Sequence, residues 1–155
     1  MQPPGLSPSY TIHEVVENFE ALLDQTDFHY ELGLLGVSRV RFYLRRKMKK
    51  ELKALFIGLW RLALERSFPH DGEEIFERFL ERHTADLAPK KSEAFIAKVR
   101  DYVEGLRSHG DTDFMPTAEH LTSLTGSSSE TESALRLRLA LHIRNVYTLI
   151  FDRLI

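Results

Sequence analysis

The chain has 155 residues, 43% of them apolar, with ten Phe, five Tyr and one Trp. That suits one globular domain and argues against a wholly disordered chain. There is no cysteine, which excludes disulfides, thiol catalysis and cysteine-ligated metal or iron–sulfur centres. The net charge is only −2, and no apolar run approaches the roughly 20 residues of a membrane span. The N-terminus has neither the basic start nor the apolar stretch of a secretory signal, so the expectation is a cytoplasmic protein.

Residues 1–9 carry three prolines and a glycine and read as a flexible arm before a single helical domain over 10–155. Thr11 and Glu14 fit a capping box at the start of a first helix. Ile12, Val15, Phe19, Leu22 and Leu23 follow at helical spacing. The run Leu32–Gly36 reads as a break or tight packing point. A long helix over about 38–67, capped by Ser38, carries the stripe Val40, Leu44, Met48, Leu52, Leu55, Leu59 and Leu62. Its second half adds Phe56, Ile57, Trp60, Ala63 and Leu64. A helix apolar around most of its girth is a central one.

Pro69 closes that helix, and Asp71 with Glu74 can cap the next, whose apolar face is Ile75, Phe76, Phe79, Leu80, His83 and Leu87. Phe95, Val99, Tyr102, Val103 and Leu106 line a fourth helix. Residues 108–116 and 125–131 read as loops, and Thr117 caps a short helix to 124. The segment Leu135–Arg144 alternates as a strand would. It is rich in Leu and Arg rather than β-branched residues, and nothing else in the chain reads as a strand to pair with it. The reading is therefore a helix with Leu135, Leu139, Ile143, Val146, Ile150 and Leu154 on one side. The predicted fold is all-α: a single-domain bundle of five or six helices around the long helix.

Charge separates strongly along the chain. Residues 1–38 contain no Lys or Arg and six acids: Glu14, Glu17, Glu20, Asp24, Asp27 and Glu31. Their spacing places them on one helical face. Residues 39–53 contain Arg39, Arg41, Arg45, Arg46, Lys47, Lys49, Lys50 and Lys53 against Glu51 alone, a local net charge of +7. Two readings compete. In one, the first two helices fold back as a hairpin and the acidic face neutralises the basic one; such exposed pairs stabilise little. In the other, the cations outnumber what the acids can cover and form a docking surface with a positive local potential.

The stretch Gly36-Val37-Ser38-Arg39-Val40-Arg41-Phe42-Tyr43-Leu44 resembles the turn and recognition-helix start of helix-turn-helix DNA-binding proteins. The resemblance implies a transcriptional regulator reading DNA with 28–46, Arg39 and Arg41 meeting phosphates or guanine edges. It departs at Glu31 and Leu32, where that motif buries an apolar and then a small residue. The doublet His70-Asp71 resembles that of the HD-type metal-dependent phosphohydrolases, also all-α, and implies a metal-dependent hydrolase. Asp71 is equally explained as a helix cap. Neither a glycine-flanked nucleophile nor a phosphate-cradling glycine loop is present. His13 with Glu17 and His83 with Asp86 are the acceptable local metal-type pairs, and both read more simply as surface contacts.

The sequence thus predicts a non-catalytic helical binding, adaptor or regulatory protein with no catalytic residue, cofactor, resident metal or small-molecule substrate. Its contact surface would be Arg39, Arg41, Arg45, Arg46, Lys49, Lys50 and Lys53, with Tyr43 as an aromatic anchor. The expected partner is a protein or a second copy of the chain, with nucleic acid as the alternative and a membrane surface disfavoured.

Overall fold

The computed structural model describes residues 8–109, 112–126 and 132–154. Most of the predicted N-terminal arm and the centres of the two long loops lie outside the described residues. All regular structure among them is helical: α1 (Pro8–Gln25), α2 (His29–Leu34), α3 (Phe42–Ser67), α4 (Gly72–Thr84), α5 (Pro89–Ser108), α6 (Met115–Leu124) and α7 (Glu132–Asp152). The architecture is the expected all-α bundle around a long central helix, with seven helices among the described residues where the pattern predicts five or six.

The additional helix is α2, and its ends explain why it is separate. Phe28, at its N-cap, has φ 60°, a left-handed conformation that costs a non-glycine residue about 1–2 kcal/mol. Burial compensates: the ring packs edge-on against Phe56 at 5.1 Å. Asp27 Oδ1 accepts the His29 N–H at 2.9 Å. At the other end Gly36 has φ 70°, its N–H reaches Gly33 O, and the Val37 N–H reaches Leu32 O at 3.0 Å. This is a Schellman stop, and Leu32 and Val37 are both buried beside it, as that motif prefers.

Three predicted helix starts shift, and a fourth keeps its place without its cap bond. The long helix begins at Phe42, not 38, and its N-cap is Arg41, with no side-chain cap bond. Ser38 therefore caps nothing and lies in the connection. α1 begins three residues before Thr11, so no capping box opens it. Asp71 does stand at the N-cap of α4, but its carboxylate makes no cap bond. α6 starts at Met115, where Asp113 Oδ1 accepts the Met115 N–H at 3.0 Å; Thr117 is inside the helix and buried.

α3 packs against α2, α4, α5, α6 and α7. From Ala54 to Trp60 every residue is buried. Trp60 stacks on Phe19 of α1 at 4.2 Å and 3°, and Phe79 of α4 meets it edge-on at 4.9 Å. Its Nε1–H is buried and has no hydrogen-bond partner among the described residues. Gly58 lets α5 approach closely, since a Cβ there would lie 3.3 Å from Tyr102 Cβ. In α7 the alternating leucines split: Leu139 and Ile143 enter the core, while Leu137 and Leu141 stay about half exposed.

Candidate functional site

The first three turns of α3 bury one narrow side. Met48, Leu52 and Leu55 recur at helical spacing and are almost fully buried. At about 100° per residue, Phe42, Tyr43, Arg46, Lys49, Lys50 and Lys53 fall within an arc of about 120° on the opposite side. The exposures agree, with Lys53 half-buried at the arc's inner end. Tyr43 is 90% exposed and Phe42 75%, and the preceding Val40 is 77% exposed. Arg39 and Arg41 belong to the connection between α2 and α3, and Arg45 is half-buried at the edge of the cationic face.

Of the two readings of the charge pattern, neutralisation by the first helix does not form among the described residues. α1 packs on α4, where Glu20 pairs with Arg82 at 3.3 Å. Glu17 pairs with His13 at 2.9 Å within α1. Among the described residues no ion pair reaches Arg39, Arg41, Arg45, Arg46, Lys47, Lys49, Lys50 or Lys53. Nor do the six acids share one helix. Asp27 is in the turn, and Glu31 is buried on α2, where His142 Nε2 lies 3.1 Å from its Oε2 and Tyr30 packs on the imidazole at 4.7 Å. The first turn of α3 has no acidic residue, so the cations add to the positive pole of the helix dipole instead of opposing it.

A groove between α3, α4 and α5 shows the contrast. It also gathers arginines, but Arg61 and Arg107 both pair with Glu65, and Arg100 with Glu77 at 3.1 Å. Charge there is internally balanced; on the outer face of α3 it is not.

The one acid of the cationic run, Glu51, turns inward. It is 5% exposed, its Oε2 is held by Lys98 of α5, and Tyr102 donates its hydroxyl to Oε1 at 3.1 Å. Burial, with Glu51 beside it, pushes the Tyr102 phenol well above its ordinary range, so the hydroxyl stays a donor. Sequence reasoning counted Glu51 only as a charge. The available signal was its register: it sits on the same side as Met48, Leu52 and Leu55, where an acid must find a partner.

The other candidates do not assemble. α2 has six residues and seven separate it from α3, whereas a helix-turn-helix joins its helices by three or four. His70 and Asp71 are both exposed in the α3–α4 turn. Among the described residues no group of three or more ligand-type side chains is placed to hold a metal. His83 does not pair with Asp86. It stacks on Phe79 at 5.2 Å and 14°, and burial, helped by Lys53, lowers its pKa to about 4. No helix among the described residues is long and apolar enough to cross a membrane.

No family model, curated protein or solved structure matches the chain.

Proposed function

We propose that this is a non-catalytic, cytoplasmic binding protein that holds an acidic protein partner on the outer face of α3. One observation carries the reading: along residues 39–53, eight cations that form no ion pair among the described residues accompany three apolar side chains that are 75–90% exposed. Exposed cations alone are ordinary; a solvated helix face often has them. Phe42 and Tyr43 standing out of the same face are not, because aromatic side chains are a large apolar area to leave in water. Tyr, Phe and Arg are the types enriched at protein interfaces, where an apolar centre ringed by charge gives affinity and orientation together.

The test is fluorescence anisotropy with three labelled probes: an Asp/Glu-rich peptide containing Trp and Leu, a short DNA duplex and a single-stranded RNA. Each is measured at about 50 and 200 mM salt, because phosphate binding falls steeply over that range through counterion release. The reading expects the peptide to bind, to retain much of its affinity at the higher salt, and to be lost in Tyr43→Ala and in Arg46→Glu/Lys49→Glu/Lys50→Glu. Tight DNA or RNA binding that collapses at the higher salt replaces the protein partner with nucleic acid. No binding of any probe at the lower salt overturns the reading.

A further inference from the structure

A second concave surface lies on the far side of Glu51 from the cationic face. It is a groove of about 480 Å³ between α5 and α6, with Glu51, Lys98 and Tyr102 in its lining. That is within the range of small-ligand sites. Its walls are low because α5 presents Ala94, Ala97 and Gly105 there.

Gly105 is the informative member. A glycine inside a helix costs about 1 kcal/mol relative to alanine, so it needs a reason. Gly58 has one, the close approach of α5. Gly105 has none of that kind: a Cβ built on it meets nothing within 4 Å, and its φ is not left-handed. What its missing side chain does is leave the groove open.

Polar groups converge on that space without being used up by the fold. Thr117 is more than nine-tenths buried and lines the groove, yet its hydroxyl makes no hydrogen bond to any described residue. Asp101 is exposed at the rim and forms no ion pair among the described residues. His109 and His120 complete the rim. The Glu51 charge is answered by Lys98. Among the acidic and Lys side chains that line the groove, Asp101 is the one with no ion-pair partner among the described residues.

We propose that this groove is a binding site for a small organic cation, an ammonium group on a compact apolar body. The ammonium would meet the Asp101 carboxylate and donate to the Thr117 hydroxyl. The apolar body would lie over Ala97, Gly105 and Pro116. An anion of the same shape would face Asp101 and the buried Glu51 with one neutralised lysine to attract it. The site is separate from the outer face of α3, so the proposal does not rest on the function proposed above.

The experiment is amide chemical-shift titration of the full chain with three probes of matched shape: phenethylamine, 2-phenylethanol and phenylacetate. The amine is expected to give saturable shifts clustered on α5 and α6, with an affinity about tenfold or more above phenylacetate, equivalent to ~1.4 kcal/mol. Gly105→Leu fills open space and favours the helix, so it should fold normally and lose the amine. Asp101→Asn, an isosteric change at an exposed position, should weaken the amine at least severalfold and leave the alcohol unchanged. The proposal is overturned if the amine does not saturate at millimolar concentration, if phenylacetate binds as well, or if both variants bind the amine like the parent chain.

Discussion

The two halves of α3 belong to one continuous helix and differ in almost everything else. From Phe42 to Lys53 only Met48, Glu51 and Leu52 are buried. From Ala54 to Leu64 only Arg61 escapes full burial. Helix propensity does not separate them, since the first half is rich in Lys, Arg and Leu and the second in Leu and Ala, all good formers. The difference is in how many neighbours arrive. The second half is ringed by aromatic side chains from α1 and α4 and by the close packing of α5. The first half keeps one narrow side against the bundle and presents its cations to solvent. One helix thus serves as both the axis of the core and a projecting surface, and a substitution should report which half it falls in.

The largest effect should come from Trp60→Ala in the buried half. It removes the ring that Phe19 stacks on and Phe79 meets edge-on, and should cost about 3–5 kcal/mol in a denaturant titration. A loss below about 1 kcal/mol, the scale of an ordinary point substitution, would mean that the aromatic cluster is not the centre of the fold.

At the boundary between the halves, Lys98→Met leaves the Glu51 carboxylate buried with only the Tyr102 hydroxyl. Breaking a buried pair from one side costs about 3–5 kcal/mol. Lys98 is one-third exposed, so about 2–3 kcal/mol is expected at neutral pH, and less for Glu51→Gln, where the charge left unpaired is the Lys98 ammonium, which water can reach. Equal losses in the two variants would show that Glu51 is not charged in the fold.

The next effect is a pH dependence. His83 titrates near 4 in the fold and near 6.5 when unfolded, so between those values the unfolded chain binds more protons. Its contribution therefore favours the fold above pH 6.5 and is lost as pH falls toward 4, by an amount on the order of 1–3 kcal/mol. Comparing denaturation midpoints at pH 7 and 4.5 tests this. His83→Phe keeps a ring against Phe79 and should flatten that part of the acid limb; an unchanged slope would place the titration elsewhere.

The smallest effect on stability should come from the exposed half. Each of Arg46→Glu, Lys49→Glu and Lys50→Glu is expected to change stability by less than about 0.5 kcal/mol, since none makes an ion pair with a described residue. Relief of like-charge repulsion could make the triple variant slightly more stable. A clear loss would show that the cations are structural, and the contrast between the halves would fail.

The alternating segment in α7 shows how far a pattern carries. Leu135-Arg-Leu-Arg-Leu-Ala-Leu satisfies two periods at once, and the residue types, not the spacing, decided for helix. The structure agrees and also sorts the leucines, because Leu139, at helical spacing from Ile143 and Val146, is buried while Leu137 and Leu141 are not. At 28–42 the sequence was less legible. Phe28 in a left-handed conformation is disfavoured locally and is held by a contact with Phe56, twenty-eight residues away, so no local rule predicts it.

By itself, the sequence determined the all-α class, the long central helix, the uneven distribution of charge and the core stripe from Met48 onward; its predicted start at Val40 is exposed and lies before α3. These follow from periodicity and composition, which act over a few residues and need no knowledge of neighbours. Only the tertiary structure decided where the charges went. The acidic helix was drawn to α4 and the buried half of α3 by burial of Phe19 against Phe79 and Trp60, because apolar burial outweighs exposed ion pairs in choosing a packing surface. That choice left the cations of α3 in solvent. It also fell to the packing of α5 on α3 to give Glu51 its partners and open the groove above them, a meeting of residues 51, 98, 102 and 117 that no local spacing encodes.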